Sequence, residues 1–218
     1  MKTYYITLIL FLFHFSARAD DFSPASWQPG LHLFAGGGLN SSLYTSDTER
    51  VEGGVGLNMK TDLVYFFNDT WAADWGSSVK FARIDGFLLW DTQFTLGVRR
   101  RLSSIDIWDL ANPYVRVFAG KSPTVIFLDG NELPGRNQDG DVNRMQFDGT
   151  VYGVTFGSMT KTAAGTTWFA ELSLSLQQFE RESEIKMDGE VPVVTHEGPV
   201  QANANMYTVT FTIGALIF

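Results

Sequence analysis

Cysteine is absent from the 218 residues, so neither a disulfide framework nor a thiolate metal site can organise this chain. Charged residues are scarce at 18%. Bases are the scarcer sign: 16 Lys and Arg stand against 24 Asp and Glu, a formal charge of −8. An acidic chain lacks the electrostatic footing of a nucleic-acid binder. Histidine occurs three times, which leaves few imidazoles for catalysis or metal binding. Beyond residue 19 no apolar run approaches the ~20 residues that a membrane-crossing helix needs. What is abundant is glycine (21 residues) and aromatic side chains (14%). This composition suits a β-protein in which only alternate residues are apolar.

The amino terminus has its own pattern. Lys2 provides a positive start, Tyr4 to Phe15 is mostly apolar, and Ala17-Arg18-Ala19 places small residues at cleavage spacing. Residues 1–19 therefore read as a secretory signal peptide cut after Ala19, leaving a single domain over 20–218. Loss of Lys2 and Arg18 leaves 14 bases against 24 acids, a mature charge of −10. Asp20 to Gly30, with Pro24 and Pro29, reads as a short polar tail.

The final stretch Tyr207–Phe218 sets the pattern for the rest. Tyr207, Val209, Phe211 and Ile213 alternate with Thr208, Thr210 and Thr212, a period of two with one apolar face. The same alternation recurs at Leu31–Leu39, Val51–Tyr65, Asp74–Arg83, Leu88–Leu102, Tyr114–Lys121, Thr150–Phe156 and Thr167–Phe179. The total is eight strands, an even number, as single-chain bacterial barrels have. The longest connections, 122–147 and 181–200, are both odd-numbered and fall on one side, with short turns on the other. That asymmetry belongs to membrane barrels, whose long loops lie outside the cell. The expected fold is an all-β, eight-stranded, antiparallel, up-and-down transmembrane β-barrel. A soluble β-sandwich is the rival, and a count of ten follows if Thr124–Leu128 pairs separately. In the favoured reading that patch extends the fifth strand.

The polar parity of these strands carries charge. Glu52, Lys60, Asp62, Lys80, Asp91, Arg99, Arg101, Arg116 and Glu171 all fall on the face opposite the apolar one. An eight-stranded barrel has an interior just filled by side chains, and an unpaired buried charge costs several kcal/mol. The expectation is a salt-bridged plug, with Lys60, Asp62, Arg99, Arg116 and Glu171 in its lower half. A gated ion path through the same residues is the functional alternative. Arg100 sits on the lipid parity at a strand end, where its stem can snorkel.

An export signal, eight alternating strands and an aromatic carboxyl-terminal residue together resemble the small outer-membrane barrels of the OmpA/OmpX/OmpW type. Asn68-Asp69-Thr70-Trp71 looks like their first periplasmic turn, and Pro113-Tyr114-Val115 to Gly120 like their mid-chain strand. One departure is that Leu216 and Phe218 are out of phase with Phe211 and Ile213, which a bulge near Gly214 would repair. The resemblance implies an integral outer-membrane location, contact with outer-membrane lipid and lipopolysaccharide, assembly through the last strand by the barrel-assembly machinery, and a monomer.

Enzymatic and metal chemistry find little footing. Lipid-modifying barrel enzymes use a Ser with a His, and that arrangement needs an orienting carboxylate. His32 lies near the start and His196 in a loop with no nearby Ser. Asp139-Gly-Asp141-Val-Asn143 opens like a calcium loop, but Arg144 and Thr150 stand where Gly and Glu are needed. No catalytic, cofactor or metal residue is therefore assigned. The β-prone stretch Pro192-Val-Val-Thr195 either adds a strand to a partner or, as favoured, extends the barrel's own hairpin. The function read from the sequence is structural or interactive, carried by loops 122–147 and 181–200. A narrow channel for ions or small apolar molecules is the alternative, and a lipid-modifying enzyme the third reading.

Overall fold

The computed structural model describes residues 22–24, 27–45, 50–84, 87–102, 112–128, 142–188, 191–200 and 204–217. The segment read as a signal peptide, residues 103–111, the calcium-like stretch at 139–141 and Phe218 lie outside them.

Among the described residues ten strands form one antiparallel sheet: β1 (Phe22–Pro24), β2 (Gly30–Thr45), β3 (Arg50–Phe66), β4 (Trp71–Ile84), β5 (Phe87–Arg101), β6 (Pro113–Phe127), β7 (Arg144–Thr162), β8 (Thr167–Asp188), β9 (Val191–Pro199) and β10 (Asn205–Leu216). Eight of them pair in the cyclic order β2-β3-β4-β5-β6-β7-β8-β10, and β10 returns to β2, closing a barrel. Closure removes the sheet edges that an open sandwich would keep. The turns at 67–70 and 163–166 define the lower end, where β5 also ends at Arg101 and β6 begins at Pro113. At the first of these, the Asn68 side-chain oxygen accepts from the backbone N–H of Thr70 (2.8 Å) and Trp71 (2.9 Å). That is the turn chemistry Asn offers.

The strands run higher than the alternation alone indicates. Thr124–Phe127 extends β6, against Arg144–Phe147 of β7. The stretch 181–200 is not an open loop: β8 continues to Asp188 and pairs with β9 in a hairpin. Pro192–Thr195 thus lies in the barrel's own extension. No bulge occurs at Gly214; β10 keeps register with β2 from Asn205 to Leu216. Leu216 accordingly turns inward and packs on the lower interior cluster, because that cluster offers it apolar neighbours.

The expected tail is also corrected. Phe22–Pro24 pairs with Thr160–Thr162 of β7, and Trp27 is buried at 3% exposure. An indole ring gains too much by burial to stay in water when an aromatic pocket lies within reach.

Candidate functional site: the layered lumen

The side chains are arranged inside out at mid-height. Leu96, Met59 and Leu57 face outward with 69%, 66% and 63% of their surface exposed, while Arg99 faces inward at 1%. Outward Trp71, Trp75, Trp90, Trp168 and Tyr207 accompany the belt. Arg100 reaches along it, its guanidinium 5.3 Å from the centre of the Trp71 ring. A belt of this kind suits hydrocarbon outside and polar contacts within.

Inside, four layers follow one another. The lowest is aromatic: Trp27, Phe34, Phe66, Tyr114 and Phe169, with Val64, Ala72 and Met159. Above it lies an ionic layer of three cations and three anions, Lys60, Arg99 and Arg116 with Asp62, Asp74 and Glu171. Arg99 is its centre. It bonds Asp62, reaches Asp74 Oδ2 at 2.9 Å through Nε, and reaches Glu171 Oε1 at 3.2 Å. Its guanidinium also lies over the Phe34 and Tyr114 rings, 5.4 and 5.5 Å from their centres. Lys60 bonds Asp62 (2.9 Å) and Glu171. Arg116 takes both oxygens of Asp74 through Nε, at 2.8 and 3.0 Å, and donates to Thr95 Oγ1 at 3.0 Å. The Tyr114 hydroxyl donates to Glu171 Oε1 at 2.6 Å. Planar guanidinium groups sharing carboxylates in this way give charge-assisted bonds with fixed geometry.

Two glycines make the room for this layer. A Cβ at Gly76 would stand 2.6 Å from Asp62 Oδ1 and 2.8 Å from Thr95 Oγ1. One at Gly97 would stand 2.8 Å from both Arg116 Nε and Asp74 Oδ1.

A small polar chamber of about 30 Å³ follows, lined by Asn58, Ser78, Thr95, Ser175 and Thr210 among others. Over it sits a second charged group. Lys80 Nζ is 3.7 Å from Asp91 Oδ2, and Asp91 Oδ1 accepts from Ser122 (2.6 Å) and Thr124 (2.9 Å). Gln177 Nε2 donates to Thr124 at 2.7 Å. The top layer is apolar again and includes Tyr44, Leu89, Ile126, Leu128, Met145, Phe147, Phe179 and Met206.

Of the nine charged residues read from strand parity, Lys60, Asp62, Arg99, Arg116 and Glu171 come together in the lower layer, and Lys80 with Asp91 in the upper one. Arg101 stands apart, near the lower mouth, where Nη2 donates to Asn112 Oδ1 at 2.5 Å. The backbone of Glu52, in β3, pairs with Leu43 of β2; its side chain lies outside the described residues. Sequence reasoning missed Asp74, Tyr114 and Trp27. Asp74 was legible: it precedes outward Trp75 and so has the same parity as Gly76 and Lys80. Tyr114 gave no signal beyond an aromatic at a strand start. The two described histidines lie at different ends of the strands: His32 Nε2 is 3.1 Å from the Gln28 carbonyl oxygen, and His196 is exposed on β9. Among the described residues no cluster of metal-ligating side chains occurs.

The fold is thus a closed eight-stranded antiparallel barrel with an apolar outer belt and a filled, layered interior. No family model matches this sequence, and no curated relative does either. Solved structures do match in shape. Ail, the attachment invasion locus protein of Yersinia pestis, is 13% identical, covers 87% of this chain and 100% of its own, with a TM-score of 0.49. Neisserial surface protein A is 10% identical over 85% and 98% of the two chains, at a TM-score of 0.46. The outer-membrane protease OmpT from Escherichia coli is 8% identical over 92% and 99%, at 0.36.

Proposed function

We propose that the chain is an integral outer-membrane barrel that acts at the cell surface, through the protein it raises above the bilayer. The observation that carries this reading is the β8–β9 hairpin. β9 pairs with β8 along one edge and, among the described residues, with no other strand. Val191, Val193 and Val194 stand 63%, 42% and 56% exposed on it. An upper edge that no second strand covers offers a backbone ladder to an extended segment of a partner. Pro192 and Pro199 interrupt the ladder and so limit self-aggregation. The residues 181–200 carry five acids against two bases, which favours a partner of neutral or positive charge. Within this reading the barrel is a monomer held in lipid and lipopolysaccharide, and the lumen is a structural core. Transport would require a path through two apolar layers and two charged ones, all filled by side chains.

The test replaces residues 181–200 by a short Gly-Ser turn in the full chain and measures adherence of displaying cells to a cultured cell monolayer. Lost adherence, with the barrel still folded, is the expected result. Adherence equal to that of the unaltered chain would exclude the hairpin as the acting surface.

A further inference from the structure

We infer that the polar chamber inside the barrel is a water-binding site, whose waters take up hydrogen bonds that Asp62, Asn58 and Lys80 do not make with the protein. This inference does not depend on the surface role proposed above.

Two acceptors on the chamber wall are left over from the bonds around them. The Asp62 carboxylate gives Oδ2 to Arg99 and Lys60, while its Oδ1 has no hydrogen-bond partner in the protein. Asn58 donates through Nδ2 to Thr212 Oγ1 at 2.9 Å, and its Oδ1 likewise has no partner. Both residues line the chamber, and they keep only 1% and 3% of their surface exposed, so bulk solvent does not serve them. A buried acceptor left without a donor is costly.

Donors face the same space. Lys80 lies beside Asn58 in the β3–β4 register and lines the chamber too. Its Nζ is 3.7 Å from Asp91 Oδ2, beyond direct hydrogen-bond length, so the ammonium keeps donors for the chamber. Further along the same strand pair, Asp62 lies beside Gly76. Asp62 Oδ1 and Thr95 Oγ1 both look over the bare backbone of that glycine, at 2.6 and 2.8 Å from where a Cβ would stand. Thr95 Oγ1 accepts from Arg116, which leaves its own hydrogen free to donate.

The walls select water over other occupants. Lys60, Arg99, Arg116 and Lys80 are matched by Asp62, Asp74, Glu171 and Asp91, so a bound ion would stand uncompensated. An apolar occupant would leave the two acceptors unpaired. Water both donates and accepts. The chamber offers about 30 Å³, and at roughly 10–15 Å³ for each water it holds about two. One fits between Lys80 and Asn58 Oδ1, the other between Thr95 and Asp62 Oδ1. Apolar clusters close the lumen at both ends, so these waters exchange slowly.

Oxygen-17 magnetic relaxation dispersion on the folded full chain in micelles counts waters held longer than the tumbling time, and exchanging protein hydroxyl protons do not enter it. Ser175→Leu fills the chamber and should lower the dispersion amplitude by about two waters. Asn58→Leu, nearly equal in size, removes one acceptor and should lower it by about one. Equal amplitudes in the unaltered chain and both variants would overturn the inference, as would no dispersion in the unaltered chain. If Ser175→Leu fails to fold, equality between the unaltered chain and Asn58→Leu overturns it. Chlorine-35 line broadening present in the unaltered chain and lost in the variants would mean that an anion occupies the chamber, and would overturn it as well.

Discussion

Arg99 and Glu171 lie 3.2 Å apart, Nη1 to Oε1, although β6 and β7 stand between their strands and 72 residues separate them in the chain. They tie the barrel together across its lumen, where the ladder ties it only around its wall. The pair has no slack in charge, since three cations and three anions share one buried layer. Arg99→Met should therefore leave three carboxylates to two cations, one uncompensated negative charge in the layer, and lower stability by about 3–5 kcal/mol. Adding Glu171→Gln restores the balance and should return a substantial part of that loss. Urea unfolding in micelles measures both, and equal losses in the single and double variants would contradict the coupling.

The space over Gly76 is as specific as the charges. Gly76→Ala sets a methyl 2.6 Å from Asp62 Oδ1 and should cost about 1–3 kcal/mol as an overpacked site. At Gly37, where the nearest atom to an added Cβ is the Asn58 carbonyl oxygen at 3.4 Å, alanine should be tolerated. A side-by-side denaturation series reads the contrast. Equal behaviour of the two would mean that Gly76 does not make room for the ionic layer.

The outer belt makes a depth-dependent prediction. Leu96→Arg, on the belt, should cost about 2–4 kcal/mol in lipid vesicles, as charges at mid-bilayer do in barrels. Val193→Arg on β9 should cost little, since that side chain faces water above the belt. Refolding yields and unfolding midpoints in vesicles separate the two. Indifference of Leu96→Arg would remove the lipid from the account.

A filled lumen should not conduct. Planar-bilayer recordings of the full chain are expected to show no discrete steps, and Arg116→Ala should show none either, because the apolar layers above and below remain. Reproducible steps in the unaltered chain would instead favour the channel reading of Lys60, Asp62, Arg99, Arg116 and Glu171.

Much of this was legible in the chain, for a definite physical reason. At mid-height, lipid and lumen impose opposite chemistry on successive residues, so Leu96 against Thr95, or Leu172 against Glu171, shows in the sequence as a period of two. The pairing of opposite charges inside follows once their parity is read. Above the belt the rule inverts. There the outside is polar, as at Lys121 and Glu180, which meet at 3.0 Å, and the inside is apolar, as at Ile126, Phe147 and Phe179. The inversion, with many Gly, Asp and Asn residues around it, makes 122–147 and 181–200 look like loops when both contain strand. Trp27 stayed hidden because its burial depends on a fold-back that neither alternation nor a motif announces. Leu216 misled for a related reason: its partner layer inside the barrel is apolar, so an inward leucine there breaks no rule.

The central claim is that the eight strands close in a bilayer around a packed interior. Electrophoresis of isolated outer membranes, with and without boiling, tests it most directly. The account predicts a membrane-bound band whose mobility shifts on boiling, because a closed, cross-braced barrel stays folded in cold detergent. A band found only in the soluble fraction, and unmoved by boiling, would contradict it.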